Sequence, residues 1–346
     1  MKRKFASLLV LALLPILSFA QQPDSSLRYI PKVTGLVKAK WEYSFEDNKN
    51  RFDLRNSRLG IVGNINPYVS YKMQVEYSNH GKIMLLDAFG TFDVSKSFSV
   101  SFGQVTIPFS EDYVISPSLN MFANRSFIAK FINPSSRDLG VTAEYRFDKK
   151  IPITLQGGIY NGMGINNPEW QDSPHFLGRV VYGTMKGFRT SIKYYGGKDT
   201  ADLKTAQYGI DFRYATDRYK IEAEWIIKDS LDVDDSQLSG AYIQGAYNFP
   251  ISNGKKLKYI EPQLRGDAMG YKVFKNGFDV SRLTLGLCFG FDRKLMGAEV
   301  RLNYEKFFFR GSMDKIRENA GYSGYFDAGS DKRLFDKFTI ELLIKF

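Results

Sequence analysis

The chain has 346 residues, 48 basic against 37 acidic side chains for a net charge of +11, and an aromatic load of 21 Tyr and 28 Phe. A single cysteine, Cys288, excludes an internal disulfide framework, and two histidines, His80 and His175, leave little for a metal centre or catalytic triad. Mean hydropathy is nevertheless below zero, the balance of a protein that is wet on one face and apolar on the other.

At the N-terminus, Lys2, Arg3 and Lys4 precede an apolar run from Phe5 to Leu17, and Ser18-Phe19-Ala20 offers small residues where a signal peptidase reads. Residues 1–20 are therefore expected to be a secretory signal peptide cut after Ala20, and 21–32 a polar periplasmic tail. No Cys follows the cut to carry a lipid, and no later stretch holds the roughly 18 apolar residues of a transmembrane helix. Removing three basic residues leaves (48 − 3) − 37 = +8. That charge suits anionic partners such as phosphate groups or lipopolysaccharide, while export excludes nucleic acid.

From Val33 the chain alternates with period two. Val33, Val37, Trp41 and Tyr43 share one face while Lys38, Lys40 and Glu42 share the other. Segments 69–77, 207–214, 219–228, 298–305 and 338–346 repeat the pattern, with no charge on the apolar parity and many charges on the opposite one. A soluble sandwich also alternates, but a Lys or Arg on the lipid face of a barrel costs about 2–4 kcal/mol at midplane, so strict charge exclusion fits a bilayer. Strands are expected near 33–45, 52–65, 68–78, 83–93, 97–104, 137–147, 151–161, 176–182, 188–196, 206–215, 219–228, 238–249, 258–267, 280–291, 296–305 and 336–346. Sixteen is an even number. Connectors after even-numbered strands are short and the long ones, at 105–136, 162–175, 229–237, 268–279 and 306–335, follow odd-numbered strands. This asymmetry defines a sixteen-stranded antiparallel transmembrane β-barrel over 33–346, with both termini periplasmic and the outer membrane as its address. The terminal Phe346 suits delivery to outer-membrane assembly machinery.

The connector 105–136 is long for a compact fold and carries Tyr113, Phe122, Phe127 and Phe131 beside Arg125 and Lys130, a composition that argues against disorder. Glu111 and Asp112 are expected to hold it to a basic wall. Inward parity elsewhere carries Arg179, Arg189, Lys193, Arg213, Arg265 and Arg301 mixed with many acids.

Several stretches resemble the phosphate-selective porin O and P family: Leu54-Arg55-Asn56-Ser57-Arg58-Leu59-Gly60, Leu86-Asp87-Ala88-Phe89, Phe102-Gly103-Gln104 with Pro108-Phe109-Ser110, Phe122 to Ser126, Arg137-Asp138-Leu139-Gly140-Val141, and Gly158 to Gly162 with Gly164. The resemblance implies a homotrimer, a third external loop folded inward as a constriction, and basic residues lining the lumen. By position, Arg55 and Arg58 match the family's basic cluster, with Asn56 where another Arg is expected. Arg125 falls where the inward loop is basic, and Arg137 belongs to the Arg-Asp-Leu-Gly segment. With Lys72 and Lys130 these are the expected pathway residues. Arg125 and Lys130 either face the pore or form ion pairs within the loop, and Lys72 either meets the solute or keeps the lumen wetted.

Other motifs carry less. Gly162-Met163-Gly164 lacks the strand-to-helix context of a dinucleotide loop, and Asp229, Asp232, Asp234 and Asp235 lack the Gly and terminal Glu of a calcium loop. No Gly-x-Ser-x-Gly accompanies the histidines. Neither an enzyme nor a cofactor is expected. The expected function is passive diffusion of small anions such as phosphate or polyphosphate, with a general or oligosaccharide channel and a structural or adhesive barrel as alternatives.

Overall fold

A computed structural model describes residues 30–46, 48–78, 82–132, 136–147, 150–198, 202–232, 236–251, 256–292, 297–310 and 336–346. The expected signal peptide, all but the end of the tail, His80, Asp234, Asp235 and most of the 306–335 loop lie outside these residues.

The described strands form one antiparallel sheet whose first and last members pair, so no edge is left open. Eighteen ladder segments make up this sheet, and two strands are each interrupted once, leaving sixteen. They are β1 (Lys32–Ser44), β2 (Lys49–Leu54 with Ser57–Asn66), β3 (Val69–Ser78), β4 (Lys82–Asp93), β5 (Phe98–Thr106), β6 (Arg137–Arg146), β7 (Ile153–Tyr160) and β8 (His175–Gly183). The second half comprises β9 (Gly187–Lys198), β10 (Lys204–Ala215), β11 (Tyr219–Ser230), β12 (Leu238–Tyr247 with Phe249–Pro250), β13 (Tyr259–Tyr271), β14 (Val280–Gly290), β15 (Gly297–Phe309) and β16 (Lys337–Lys345). The expected sixteen-stranded barrel is the fold observed. Among the described residues no helix is long and apolar enough to cross a membrane; the strands make the crossing.

Parity behaves as a bilayer demands. Ile192, Ile210, Ile243 and Leu264 are exposed on the outside, whereas Lys38, Lys40 and Glu42 are buried within. Closure sets Trp41 against Ile340 and Lys40 against Glu341, so both faces continue across the seam. Two strands outrun expectation. β13 reaches Tyr271 and β15 reaches Phe309 because the ladder continues through the pairs Met269–Val280 and Val280–Phe309. Met269, Val280 and Phe307 are apolar on the inward parity, which hides the alternation. His175, expected in a connector, is instead the first residue of β8. It is buried, with Nε2 2.6 Å from the Lys198 carbonyl oxygen.

Besides a register shift at Asn64–Asn66 beside the turn at Pro67, two bulges interrupt the ladder and serve one region. Ala39 pairs with Leu54, yet Leu36 pairs with Arg58, so β2 carries one extra residue at Arg55-Asn56 opposite Lys38. Asn56 takes φ 58°, the left-handed conformation that Asn tolerates. On β4, Leu85 pairs with Val75 but Asp87 with Gln74, and Leu86 is the extra residue. The Leu85 and Leu86 carbonyls each accept from Gln104 Nε2 at 2.9 Å. Just before it, Gly103 adopts φ 132°, where a Cβ would lie 2.3 Å from the Ala88 carbonyl oxygen. The Phe-Gly-Gln motif therefore seals the β4 bulge. Gly103→Ala should cost at least the roughly 1–3 kcal/mol of a strained backbone residue. The expected outcome is a lower urea midpoint for the folded band on unboiled gels, and an unchanged midpoint would contradict this account.

Candidate functional site: the lumen constriction

The segment 107–132 enters the barrel and is fastened to the wall from β8 to β15 in two layers. The layer nearer the long connectors is apolar. Leu177, Tyr195, Ile226, Leu238, Tyr242, Met269 and Phe307 point inward and pack against Ile107, Phe109, Phe127, Ile128 and Ile132 of the loop. Gly240 makes room for this contact, since a Cβ there would lie 2.7 Å from Ile128.

One step deeper on the same parity the wall turns ionic. Glu224 accepts the Ser110 hydroxyl and the Glu111 N–H, each at 3.0 Å, and also pairs with Lys193 at 2.5 Å. Glu111, in the short helix α1 (Glu111–Val114), pairs with Arg179 and, at 2.8 Å, with Arg189. Burial alone would raise the Glu111 pKa, but Arg179, Arg189 and Lys193 overcome this and hold it at about 2. On the opposite wall Asp267 accepts the Phe127 N–H at 2.8 Å, Glu305 accepts the Asn124 amide at 2.8 Å, and Asn303 accepts the Ala123 N–H at 2.9 Å. Arg282 pairs with Asp267 and Glu305, donates to the Arg125 carbonyl at 2.8 Å, and lies over the Phe127 ring. Arg265 likewise donates to the Asn124 carbonyl and covers Phe122. Asp112, expected to reach the wall, instead closes the loop on itself through the Ser126 N–H and hydroxyl.

This seating leaves a cavity of about 160 Å³ between the loop and β2–β4, lined by Arg55, Asn56, Arg58, Glu76, Met84, Leu86 and, from β6, Arg137 on the wall and by Tyr113, Arg125 and Lys130 of the loop opposite. The two bulges lie at its edge. The β2 bulge turns two consecutive residues, Arg55 and Asn56, toward the lumen, where strict alternation would turn one. Five of the six expected pathway residues meet here; Lys72 lines a neighbouring cavity of about 430 Å³ with Lys32, Asn64 and Ser70, toward the turn at Pro67.

The six differ in what neutralises them. Arg58 pairs with Glu76 at 2.8 Å, while Lys72 and Arg137 share Asp87 at 2.6 and 2.7 Å. Arg125 pairs with Asp112 at 3.7 Å and stacks over Tyr113, which makes it in the first place a brace within the loop. Arg55 and Lys130 have no acidic partner among the described residues. Burial lowers the Lys130 pKa well below the ordinary lysine value, helped by Arg55, Lys337 and Arg282 and opposed by Glu305. Sequence reasoning missed the counter-charges Glu76 and Asp87 and the anchors Glu224, Asp267, Arg282 and Glu305. The last four do leave a signal, a charge two residues from an inward apolar side chain near a strand's end. Among the described residues no group of His, Cys, Asp and Glu could hold a metal.

Known structures share this architecture. An anion-selective porin from Comamonas acidovorans is 12% identical with a TM-score of 0.62, covering 92% of this chain and 100% of that one. OmpT of Vibrio cholerae in its trimer form is 12% identical (TM-score 0.60; 92% and 99% covered), and Salmonella typhi OmpF in complex with daunomycin is 12% identical (TM-score 0.62; 92% and 98% covered). No curated protein sequence matches. The fold is that of bacterial outer-membrane porins. Residues 37–187 match the family model of phosphate-selective porin O and P, in agreement with the motifs read from the sequence, and the chain is an outer-membrane porin that resembles that family over this part of its length.

Breaking a buried ion pair by removing one partner costs about 3–5 kcal/mol. Glu111→Ala, which strands Arg189 and leaves Arg179 only Asp211 at 3.6 Å, should loosen the loop, and single-channel recordings should show larger, noisier conductance. In the parent protein Glu111 should stay ionised until pH falls toward its low pKa, while the stability that its pairs contribute is full above the ordinary carboxyl pKa and is lost progressively as pH falls from there to the depressed value.

Proposed function

We propose that this porin passes small anions, with phosphate as the model solute, through the cavity between the inward loop and β2–β4. The observation that carries the reading is that Arg55 on the wall and Lys130 on the loop line one small cavity without an ion-paired acid among the described residues. An unpaired cation in a narrow, partly dehydrated passage concentrates anions, and hydration must remain sufficient for release. Arg55 adds a planar fork suited to phosphate or carboxylate. Lys72 and Lys32 extend a basic stripe along the same wall. The Comamonas neighbour, named as anion-selective, lends the reading support. A homotrimer is proposed on the trimer form of the Vibrio neighbour. Outer-membrane lipid and lipopolysaccharide are the proposed cover for the apolar outer face, and assembly machinery the proposed reader of the strand ending in Phe346. A general diffusion channel is the second reading, favoured by the ion pairs that hold the other four basic residues.

The test is the zero-current potential in a KCl gradient. Anion preference that phosphate diminishes by block supports the first reading; cation preference or indifference to phosphate sinks it. Arg55→Ala and Lys130→Ala should each remove about 1 kcal/mol of anion preference, a several-fold drop in permeability ratio. Arg125→Ala should do less, since its charge is already matched by Asp112.

Deprotonation of Lys130 adds a second check. Because its pKa is lowered, raising pH should reduce anion preference before an ordinary lysine would titrate. Lys130→Met should flatten that part of the pH profile, and an unaltered profile would refute the role of Lys130.

A further inference from the structure

A second cavity, of about 260 Å³, lies beneath the tip of the inward loop at Ser118–Met121, against the ends of β10, β11 and β13–β15 nearer the short turns. Its electrostatics are unlike those of the constriction. Arg301 is bound to Glu299 at 2.6 Å and Glu341 at 3.3 Å, Lys220 to Glu222 at 2.9 Å, and Arg213 to Glu222 at 3.4 Å. With Glu261 on the wall and Lys38 paired to Glu341 at 2.9 Å counted as well, the charges cancel.

Tyr259 supplies a flat apolar platform. Its register partner is Gly290, and a Cβ there would lie 2.0 Å from the Tyr259 ring, so the missing side chain lets the ring lie against the sheet. The phenol donates to Glu299 at 2.9 Å, which pins the ring's outer end. Next along the inward parity come Glu261 and Gln263. Gln263 is 6% exposed and donates to Glu261 at 2.8 Å, while its Oε1 has no hydrogen-bond partner among the described residues. A buried acceptor left unpaired is costly and favours a ligand that brings a donor.

We propose that this chamber is a binding subsite for an uncharged, polyhydroxylated solute the size of one pyranose ring. The C–H face of such a ring packs on Tyr259, its hydroxyls donate to Gln263 Oε1 and Glu261, and its oxygens accept from the side chains of Arg301 and Asn120. An inorganic anion finds no surplus charge here, and a purely apolar solute would leave Gln263 unpaired. The site is independent of the anion reading, because none of its residues lines the cavity between the loop and β2–β4.

The test uses the full-length protein in planar bilayers, with D-glucose on both sides and glycerol at matched viscosity as reference. Glucose should add current noise and lower conductance in a saturable manner beyond glycerol. Tyr259→Leu should abolish the effect, Tyr259→Phe should keep it, and Lys130→Ala should keep it while losing anion preference. A response that merely tracks viscosity, or one equal in Tyr259→Leu and the parent, overturns the proposal. If Tyr259→Leu fails to form channels, Gln263→Leu replaces it, and undiminished saturable block in that variant overturns the proposal equally. Channels that conduct without anion preference yet respond to glucose would reject the anion reading and leave this one standing.

Discussion

Buried carboxylates that accept backbone N–H groups hold the inward loop, and the rest of the lumen depends on them. Glu224 receives the loop at Ser110 and Glu111, and Asp267 receives it at Phe127. A loop running through the interior brings N–H and C=O groups that would otherwise lose their water unpaired. A wall bearing Lys193, Arg179, Arg282 and Arg301 brings charges whose burial costs several kcal/mol each unless matched. Each solves the other's problem. Arginines of the wall donate to the carbonyls of Pro108, Ser118, Asn124 and Arg125, and wall acids take the N–H groups between. The apolar layer contributes buried area, but the ionic layer fixes register, because hydrogen bonds to charged groups are directional and strong.

How far the sequence could be read follows from which solvent each position faces. Outward positions meet hydrocarbon, which punishes every charge, so strands were legible to within a few residues. Inward positions answer to two solvents, water and the loop. Ile226, Met269 and Phe307 are apolar because they meet the loop, and on periodicity alone they look like the end of a strand. The resemblance supplied the inward loop; no pattern within the chain could say which wall it would meet.

The residues that line the β2–β4 cavity stood out in the sequence, but their pairing did not. Arg55, Arg58, Arg125, Lys130 and Arg137 do converge on one cavity, yet their partners lie some twenty to fifty residues away or within the loop. Glu76 and Asp87 reach Arg58 and Arg137 across strands, and Asp87 does so only because an extra residue at Leu86 resets the register of β4. Bulges are local departures from alternation, and a method built on alternation reads through them. Asn56 is the visible trace, a residue type suited to the left-handed conformation at the position where β2 gains its extra residue.

A count of basic residues therefore says little about selectivity in such a lumen, because almost every charge is spoken for. What a solute meets is the remainder after pairing. On the β2–β4 side that remainder is positive, since the bulge turns Arg55 inward opposite Lys38 and the loop adds Lys130, which among the described residues has no ion-paired acid. Beneath the loop tip it is nil, since Glu222, Glu261, Glu299 and Glu341 balance Arg213, Lys220, Arg301 and the Lys38 paired with Glu341. The same loop separates the two regions, so one structural element sets both the width of the passage and the division of its interior into a charged chamber and a neutral one.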